Sequence, residues 1–255
     1  MKRLVKGIRF LTVFLLFISG SRITARADDH SEFSQWNFKP SGEERFRYEY
    51  KNDFDLHQSQ KDNGGQLYHR LRLGGMASLT DEYLKSKVDI FVEGLDVQTG
   101  GYQIKAASNQ VDDFDLHQAY VNLHNILGSN FDLKAGRQEF KYGKGRLIAS
   151  PVWANRIRAL DGGIIHYEDA GWWGDFFYGQ DVKYDDDKMN QSRSEDFLAG
   201  FYGGYQKHKM APVIETYFLD LTDLKGMNNI QRYTAGARFQ TYIAEGTVWD
   251  LEFPY

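Results

Sequence analysis

Apolar and polar residues alternate along most of the chain, with a period of two instead of the helical period of about 3.6 residues. Neighbouring side chains of a strand point to opposite faces, so Phe46, Tyr48 and Tyr50 share one face. The same alternation occurs at 42–51, 66–80, 83–94, 131–138, 196–205, 232–243 and 248–255. Turn-forming clusters separate these segments at 61–65, 98–101, 127–130, 185–192 and 225–229. The pattern predicts roughly ten to twelve antiparallel strands of about ten residues each.

Two architectures give this alternation: a soluble β-sandwich, and a transmembrane barrel whose apolar face meets lipid around a watery lumen. The polar face carries Arg and Lys at successive positions, while aromatic residues gather near strand ends. Trp172 and Trp173 would suit an aromatic girdle at the membrane boundary. These features favour an all-β fold, an antiparallel transmembrane β-barrel. The chain could form this barrel by itself or form part of a larger one.

The N-terminus has the organisation of a secretory signal peptide. A basic head precedes a short apolar run at 10–20, and Ala25-Arg26-Ala27 gives a small-x-small cleavage site. The run has about half of the ~20 residues that a membrane-spanning helix needs. We therefore predict a cleaved signal peptide at 1–27 and an exported barrel domain at 28–255.

Charge and cysteine content narrow the function classes. The leader holds six basic residues and no acidic ones, so its removal changes the formal charge from −4 to −4 − 6 = −10. An acidic exported protein is not expected to bind nucleic acid in general. The chain has no cysteine, which excludes disulfides and thiolate metal sites. We expect no metal and no cofactor.

The segment 136–167 departs from simple alternation and has the most individual pattern. It contains Gly136-Arg137-Gln138, Tyr142-Gly143, Arg146-Leu147, Trp153, Asn155, Arg158 and Asp161-Gly162. This pattern resembles the alginate-export family of outer-membrane barrels, as do the first strands at 44–50 and 67–75 and the closing stretch at 234–255. The resemblance implies a diffusion channel in the outer membrane of a Gram-negative bacterium. Its implied partners are membrane lipid, anionic oligo- or polysaccharide such as alginate or other small anions, and a periplasmic export machinery.

A channel for anions needs cations along its lumen, because rings of Arg and Lys attract anions and repel cations. Arginine suits sugar carboxylates, since its planar fork binds them bidentately. The candidates that alternation places on the polar face are Arg45, Arg47, Arg70, Arg72, Lys85, Lys87, Arg232 and Arg238. The central segment adds Arg137, Arg146, Arg156 and Arg158. Any of these arginines could instead pair with a neighbouring carboxylate and stabilise the barrel interior.

The chain is shorter than the family members that form a complete large barrel, and bacterial single-chain barrels use even strand numbers. One interpretation is a barrel that is incomplete at the C-terminus, which the likeness of 249–255 to an internal strand favours. The other is a small complete barrel. The alternating aromatic ending at Trp249, Phe253 and Tyr255, similar to an outer-membrane assembly signal, favours the second.

Two other function classes stay open. An outer-membrane lipase or protease would need a catalytic pair, but no histidine lies in a recognised motif, and no spacing pairs Ser150 with His166. We therefore expect no enzyme. A structural or binding barrel could hold Ca²⁺ at 184–188, although a solvated loop fits better. The string DFDLHQ, at 53–58 and 113–118, has metal-like spacing but is better interpreted as two polar strand ends. The apolar parity changes near Gln118, which either a bulge or the lipid–water boundary would explain.

Overall fold

The computed structural model describes residues 34–51, 64–81, 85–102, 111–185, 188–208, 210–223, 230–244 and 247–255. These residues form eleven strands in one sheet, and they belong to one compact unit spanning Phe33–Tyr255. The strands are β1 (Ser34–Lys51), β2 (Gly64–Asp81), β3 (Ser86–Tyr102), β4 (Asp112–His124), β5 (Phe131–Gln138), β6 (Leu160–Asp169), β7 (Trp172–Asp185), β8 (Lys188–Tyr205), β9 (Val213–Asp223), β10 (Ile230–Ala244) and β11 (Thr247–Pro254). The predicted leader and the first DFDLHQ copy lie outside the described residues, so signal cleavage stays a prediction.

The sheet is an antiparallel meander, in which each strand pairs with its neighbours in the sequence. This arrangement confirms the predicted all-β antiparallel fold and the predicted strand number. Within the described residues, the only helical element is a short 3-10 turn at Ile126–Gly128. No helix in this part of the chain has the length and apolarity to cross a membrane.

The two faces of the sheet differ as the alternation predicts. One face, called here the outer face, exposes large apolar side chains such as Trp36, Phe46, Phe176 and Phe218. The opposite face, called here the inner face, carries the arginines of β1 and β2, and the β1–β2 register pairs Arg45 with Arg70 across the two strands. A lipid-facing apolar side and a polar inner side are the arrangement of a transmembrane β-barrel wall.

The sheet curves around its inner face. Segment 139–159 reaches β11 through Arg146 and reaches β1 through the carbonyl of Val152. The six residue steps from Arg146 to Val152 span at most about 22 Å. In a flat sheet, the ten interstrand spacings between β1 and β11 would place these edge strands about 48 Å apart. The arginine side chains do not close that gap, so the wall must be rolled. Among the described residues β1 and β11 do not pair, and the sheet is an open part of a barrel.

Of the two explanations for the parity change near Gln118, the structure shows the bulge. The β3–β4 register shifts between Glu93 and Gly94, where Gln118 and then Leu116 are the partners, so His117 is the extra residue. The bulge changes the parity of β4, so the side chains of both His117 and Gln118 point to the inner face, where both are buried.

Only one of the two tryptophans that the sequence suggested for a girdle lies on the outer face. Trp172 is 61% exposed on the outer face, but Trp173 is half-buried on the inner face. Its ring stacks on Tyr202 at a centroid distance of 5.7 Å. Adjacent strand residues point to opposite faces, so a Trp-Trp pair cannot place both rings in one girdle.

Candidate functional site

Residues 139–159, called here the inner segment, connect β5 to β6 and fold back against the inner face. The segment turns at Tyr142 and Gly145, where the Gly145 N–H donates to the Tyr142 carbonyl at 2.9 Å, and the Tyr142 N–H donates to Ile148 O at 3.1 Å. Gly143 has a φ of +54°, and a Cβ there would lie 2.5 Å from the Tyr202 hydroxyl. Glycine therefore permits both the left-handed turn and its close approach to β8.

An apolar core fixes the segment to strands β6–β9. Tyr142 stacks between Phe177 and Tyr202 at centroid distances of 4.7 and 5.1 Å, and Tyr202 stacks on Tyr217 at 5.5 Å. The buried members of this aromatic core are Phe140, Tyr142, Ile148, Leu160, Phe177, Tyr202, Tyr217 and Leu219. Where it meets the segment, the inner face over β6–β9 is thus mainly aromatic and aliphatic, although the alternation placed polar residues on this face.

Arginines from β1 and β2 hold the opposite end of the segment. Arg45 donates to the carbonyls of Val152 at 2.9 Å and Ala154 at 2.8 Å. Arg70 donates to the same two carbonyls at 2.9 and 2.8 Å and pairs with Glu43. Both arginines are therefore anchors for the backbone of the segment.

Arg47, next to Arg45 along the inner face of β1, is engaged in the same way. It donates to the Trp153 carbonyl, pairs with Glu49 at 2.8 Å, and lies over the Tyr68 ring at 4.8 Å. Its guanidinium joins the wall to the segment, while Trp153 itself is 73% exposed.

A charge network lies where the segment leaves β5. Arg72 contacts Glu93 and Glu139 at 2.8 Å each, and His117 contacts Glu139 at 3.0 Å. Gln118 adds hydrogen bonds to both carboxylates. Burial by itself raises the pKa of Glu139, which lies outside the strands. The His117 hydrogen bond and the Arg72 charge lower the pKa by more than burial raises it, so the pKa is held below its usual range.

Glu93, His117 and Glu139 also have the spacing of a metal site, since their ligand atoms lie within 4.8 Å of one another. Their negative charge is already met by the Arg72 guanidinium, which would have to move before a cation could bind. The geometry therefore gives the second DFDLHQ copy a structural role through His117 and Gln118.

Two further arginines connect the segment and β10 to the last strand. Arg146 contacts Glu252 at 2.9 Å and Asp250 at 3.4 Å. Arg238, which is buried, pairs with Glu215 and with Asp250 at 2.8 Å. These contacts place a carboxylate beside each arginine, so neither guanidinium is a bare charge on the inner face.

The remaining arginines from the sequence prediction differ in their surroundings. Arg137 grips Asp161 bidentately at 2.7 and 2.9 Å, and it has the same strand parity as the outer-face residue Phe131. Arg158 pairs with Asp181 at 2.9 Å but stays 53% exposed. Arg156 lies 4.0 Å from the Tyr184 ring centre.

Arg232 is exposed on the inner face of β10, with Leu221 as its partner in register. It makes no ion pair with any residue that the structure describes. It is therefore the clearest uncompensated arginine among the ten that the sequence singled out.

The other motif residues mainly shape the start and end of the inner segment. Gly136 pairs with Gly162 across β5 and β6, and its φ of +127° with only 2.2 Å between a Cβ and Ala119 O requires glycine. Gln138 is fully buried, and Asn155 donates to the Gln98 carbonyl at 3.2 Å.

The basic content of the inner segment follows directly from its composition. It contains five basic residues, Lys141, Lys144, Arg146, Arg156 and Arg158, and one acidic residue, Glu139, which gives a formal charge of 5 − 1 = +4. Lys141 and Lys144 are exposed and form no ion pair with a described residue. The sequence prediction concentrated on arginines and passed over these lysines, although they belong to the same motif stretch.

The residues of a possible hydrolase are not brought together. The Ser150 hydroxyl donates to the Arg158 carbonyl at 2.6 Å. His166 instead contacts Asp175 at 2.5 Å and Glu168 at 3.6 Å. Of the suggested calcium-binding stretch, 186–187 lie outside the described residues.

Comparison with known proteins gives one match: the family model for alginate export covers residues 39–255. No curated protein and no solved structure matches the chain. The matched range includes every strand from β2 to β11, most of β1, and the inner segment.

Proposed function

The chain belongs to the alginate-export family of outer-membrane channels, and from that premise we propose that it forms a passive diffusion path for anionic solutes. The substrate class is an anionic polysaccharide such as alginate. The path runs between the inner segment and the wall of strands. Its preference for anions comes from basic residues that are not neutralised by neighbouring carboxylates.

The two exposed lysines of the inner segment, whose formal charge is +4, carry this proposal. Lys141 and Lys144 offer exposed ammonium groups, and Arg158 offers a half-exposed guanidinium. Charged side chains in a constriction select against ions of the same sign, so this segment would admit anions more readily than cations.

The strand arginines act in two ways in this proposal. Arg70 and Arg238 are buried and paired with Glu43 and Glu215, so they serve mainly as anchors. Among the described residues, Arg45 donates to backbone carbonyls alone, and a carbonyl satisfies its donors without cancelling its charge. Arg45 and Arg232 therefore contribute net positive potential to the inner face.

The position of the inner segment also suggests how the path is narrowed. The segment contacts β1, β2, β8 and β11, and so crosses the space enclosed by the wall. It extends from the end of the sheet that carries the longer connections, 52–63 and 103–111 among them. In outer-membrane barrels that end faces the cell exterior, and short turns such as 170–171 face the periplasm.

Reversal potentials in planar bilayers test the proposal. We expect the wild-type protein to pass chloride in preference to potassium under a KCl gradient. Lys141→Glu with Lys144→Glu should lower the anion-to-cation permeability ratio by roughly two- to tenfold. Oligouronates should reduce the current of the wild-type protein more than that of the double variant.

Lys207→Glu is the matched control, because Lys207 is exposed in the connection between β8 and β9 and does not belong to the inner segment. It should leave the reversal potential unchanged. Cation preference in the wild-type protein, absence of conductance, or equal shifts in both variants would contradict the proposal.

A further inference from the structure

A cavity of about 200 Å³ lies between the inner segment and strands β8–β10. Eight of its twelve lining residues are apolar, and none is acidic. The residues that define its character are Leu147, Leu198, Leu219, Leu221, Arg158 and Arg232. The cavity thus combines an aliphatic wall with two cationic side chains.

The two arginines differ in how far they are already engaged. Arg158 contacts Asp181 at 2.9 Å, which partly offsets its charge. Arg232 has no ion pair or hydrogen bond with a described residue, and its partner in register is the uncharged Leu221. A single anionic group entering the cavity would therefore find its strongest partner in Arg232.

The neutral polar groups of the cavity are few. The Ser150 hydroxyl donates to the Arg158 carbonyl at 2.6 Å and is therefore already engaged. Thr234 supplies the other hydroxyl of the lining. Phe140 is the only aromatic residue among the twelve. A sugar ring needs several hydrogen-bond partners for its hydroxyl groups, and the cavity does not supply them.

We propose that this cavity binds an amphiphilic carboxylate, with its aliphatic chain among the leucines and its carboxylate on Arg232. An apolar cavity of about 150 Å³ holds benzene, which has six carbons, so the cavity of about 200 Å³ here fits a chain of about six to eight carbons. The site shares Arg158 and Arg232 with the proposed anion path, but its occupancy does not require that the channel conducts.

The consequence of binding follows from the position of the cavity. Leu147, Ile148 and Ala149 belong to the inner segment, while Leu198 and Leu219 belong to the wall. A bound chain would contact both and would hold the segment against β8 and β9. Such a ligand should slow hydrogen exchange in the inner segment.

Binding of octanoate to the full chain in lipid nanodiscs tests the proposal, with empty nanodiscs as the reference for partitioning into lipid. Titration calorimetry should show saturable uptake of one octanoate per chain. Each methylene added from butanoate to octanoate should strengthen binding by about fourfold. Octan-1-ol, which has the chain without the charge, should bind at least tenfold more weakly.

Three variants locate the site. Arg232→Gln should weaken octanoate binding at least tenfold, while Lys207→Gln, which removes one positive charge elsewhere, should not. Ala149→Phe places a ring in the cavity and should abolish binding. Heat-modified gel migration like that of the wild type shows that each variant is folded.

Uptake no greater than that of empty nanodiscs would overturn the proposal. So would octanoate binding that survives Ala149→Phe in a folded protein, or octan-1-ol binding as tight as octanoate. Bilayer conductance is measured separately, so loss of the anion-channel function and loss of this site give different results.

Discussion

The inner face of the wall holds the same segment by two different chemistries. Over β1–β4 it is polar, and Arg45, Arg70 and Arg72 meet backbone carbonyls and carboxylates. Over β6–β9 it is aromatic and aliphatic, with Phe177 and Tyr202 packed against Tyr142. The outer face exposes large apolar side chains from β1 to β11, with polar pairs such as Arg137 and Asp161 among them, so the contrast between two packing chemistries belongs to the inner face. It shows that an interior can be packed in one half and ion-paired in the other.

The comparison has an energetic side. Burial of aromatic rings is stabilising without any requirement for matched charges, whereas an ion-paired patch fails when one partner is removed. The aromatic half should therefore set how firmly the segment is held. The polar half should set its position and leave part of its charge available to solutes.

The largest expected effect is on the aromatic half. Phe177→Ala removes a buried ring that contacts Phe140 and Tyr142, and such changes cost about 3–5 kcal/mol. We expect the free energy of local opening of the inner segment, measured by hydrogen exchange, to fall by up to that amount. Phe176→Ala is the matched control, since Phe176 is 63% exposed on the outer face. Equal exchange in both variants would show that the core does not hold the segment.

A smaller effect is expected in the polar half. Arg72→Met keeps the length of the side chain but leaves Glu93 and Glu139 without their cation. Because Arg72 retains some solvent contact, we expect roughly 1–3 kcal/mol of local destabilisation at 139–142. The loss should be smaller at low pH, because protonated carboxyls no longer need a cation. Hydrogen exchange at two pH values measures this, and a loss equal at both would argue against a charge effect.

The strands and their faces were predictable because a period of two depends only on nearest neighbours. Phe46, Leu71 and Leu251 lie outward, and Arg70 and Arg238 lie inward, as alternation predicts. The change of apolar parity next to His117 was also visible, although a bulge was only one of its two explanations. Local patterns of this kind survive in the fold because each strand buries or exposes a whole face at once.

The inner segment was not predictable in the same way. Its contacts join residues far apart in sequence, such as Arg45 and Val152, 107 residues away, and no local period encodes them. One signal was available. In β8 and β9 apolar residues occur at both parities, as in Phe201 and Tyr202 or Phe218 and Leu219, and this indicates strands covered on both faces.

The most direct test of the central claim replaces one charge inside the lumen. The chain has no cysteine, so Lys144→Cys provides a single thiol. Modification with an anionic methanethiosulfonate reagent should lower the anion current. It should also move the reversal potential toward the equilibrium potential of potassium. A cationic reagent of similar size should restore the wild-type values. If both reagents leave the conductance and the reversal potential unchanged, the inner segment does not control the passage of anions.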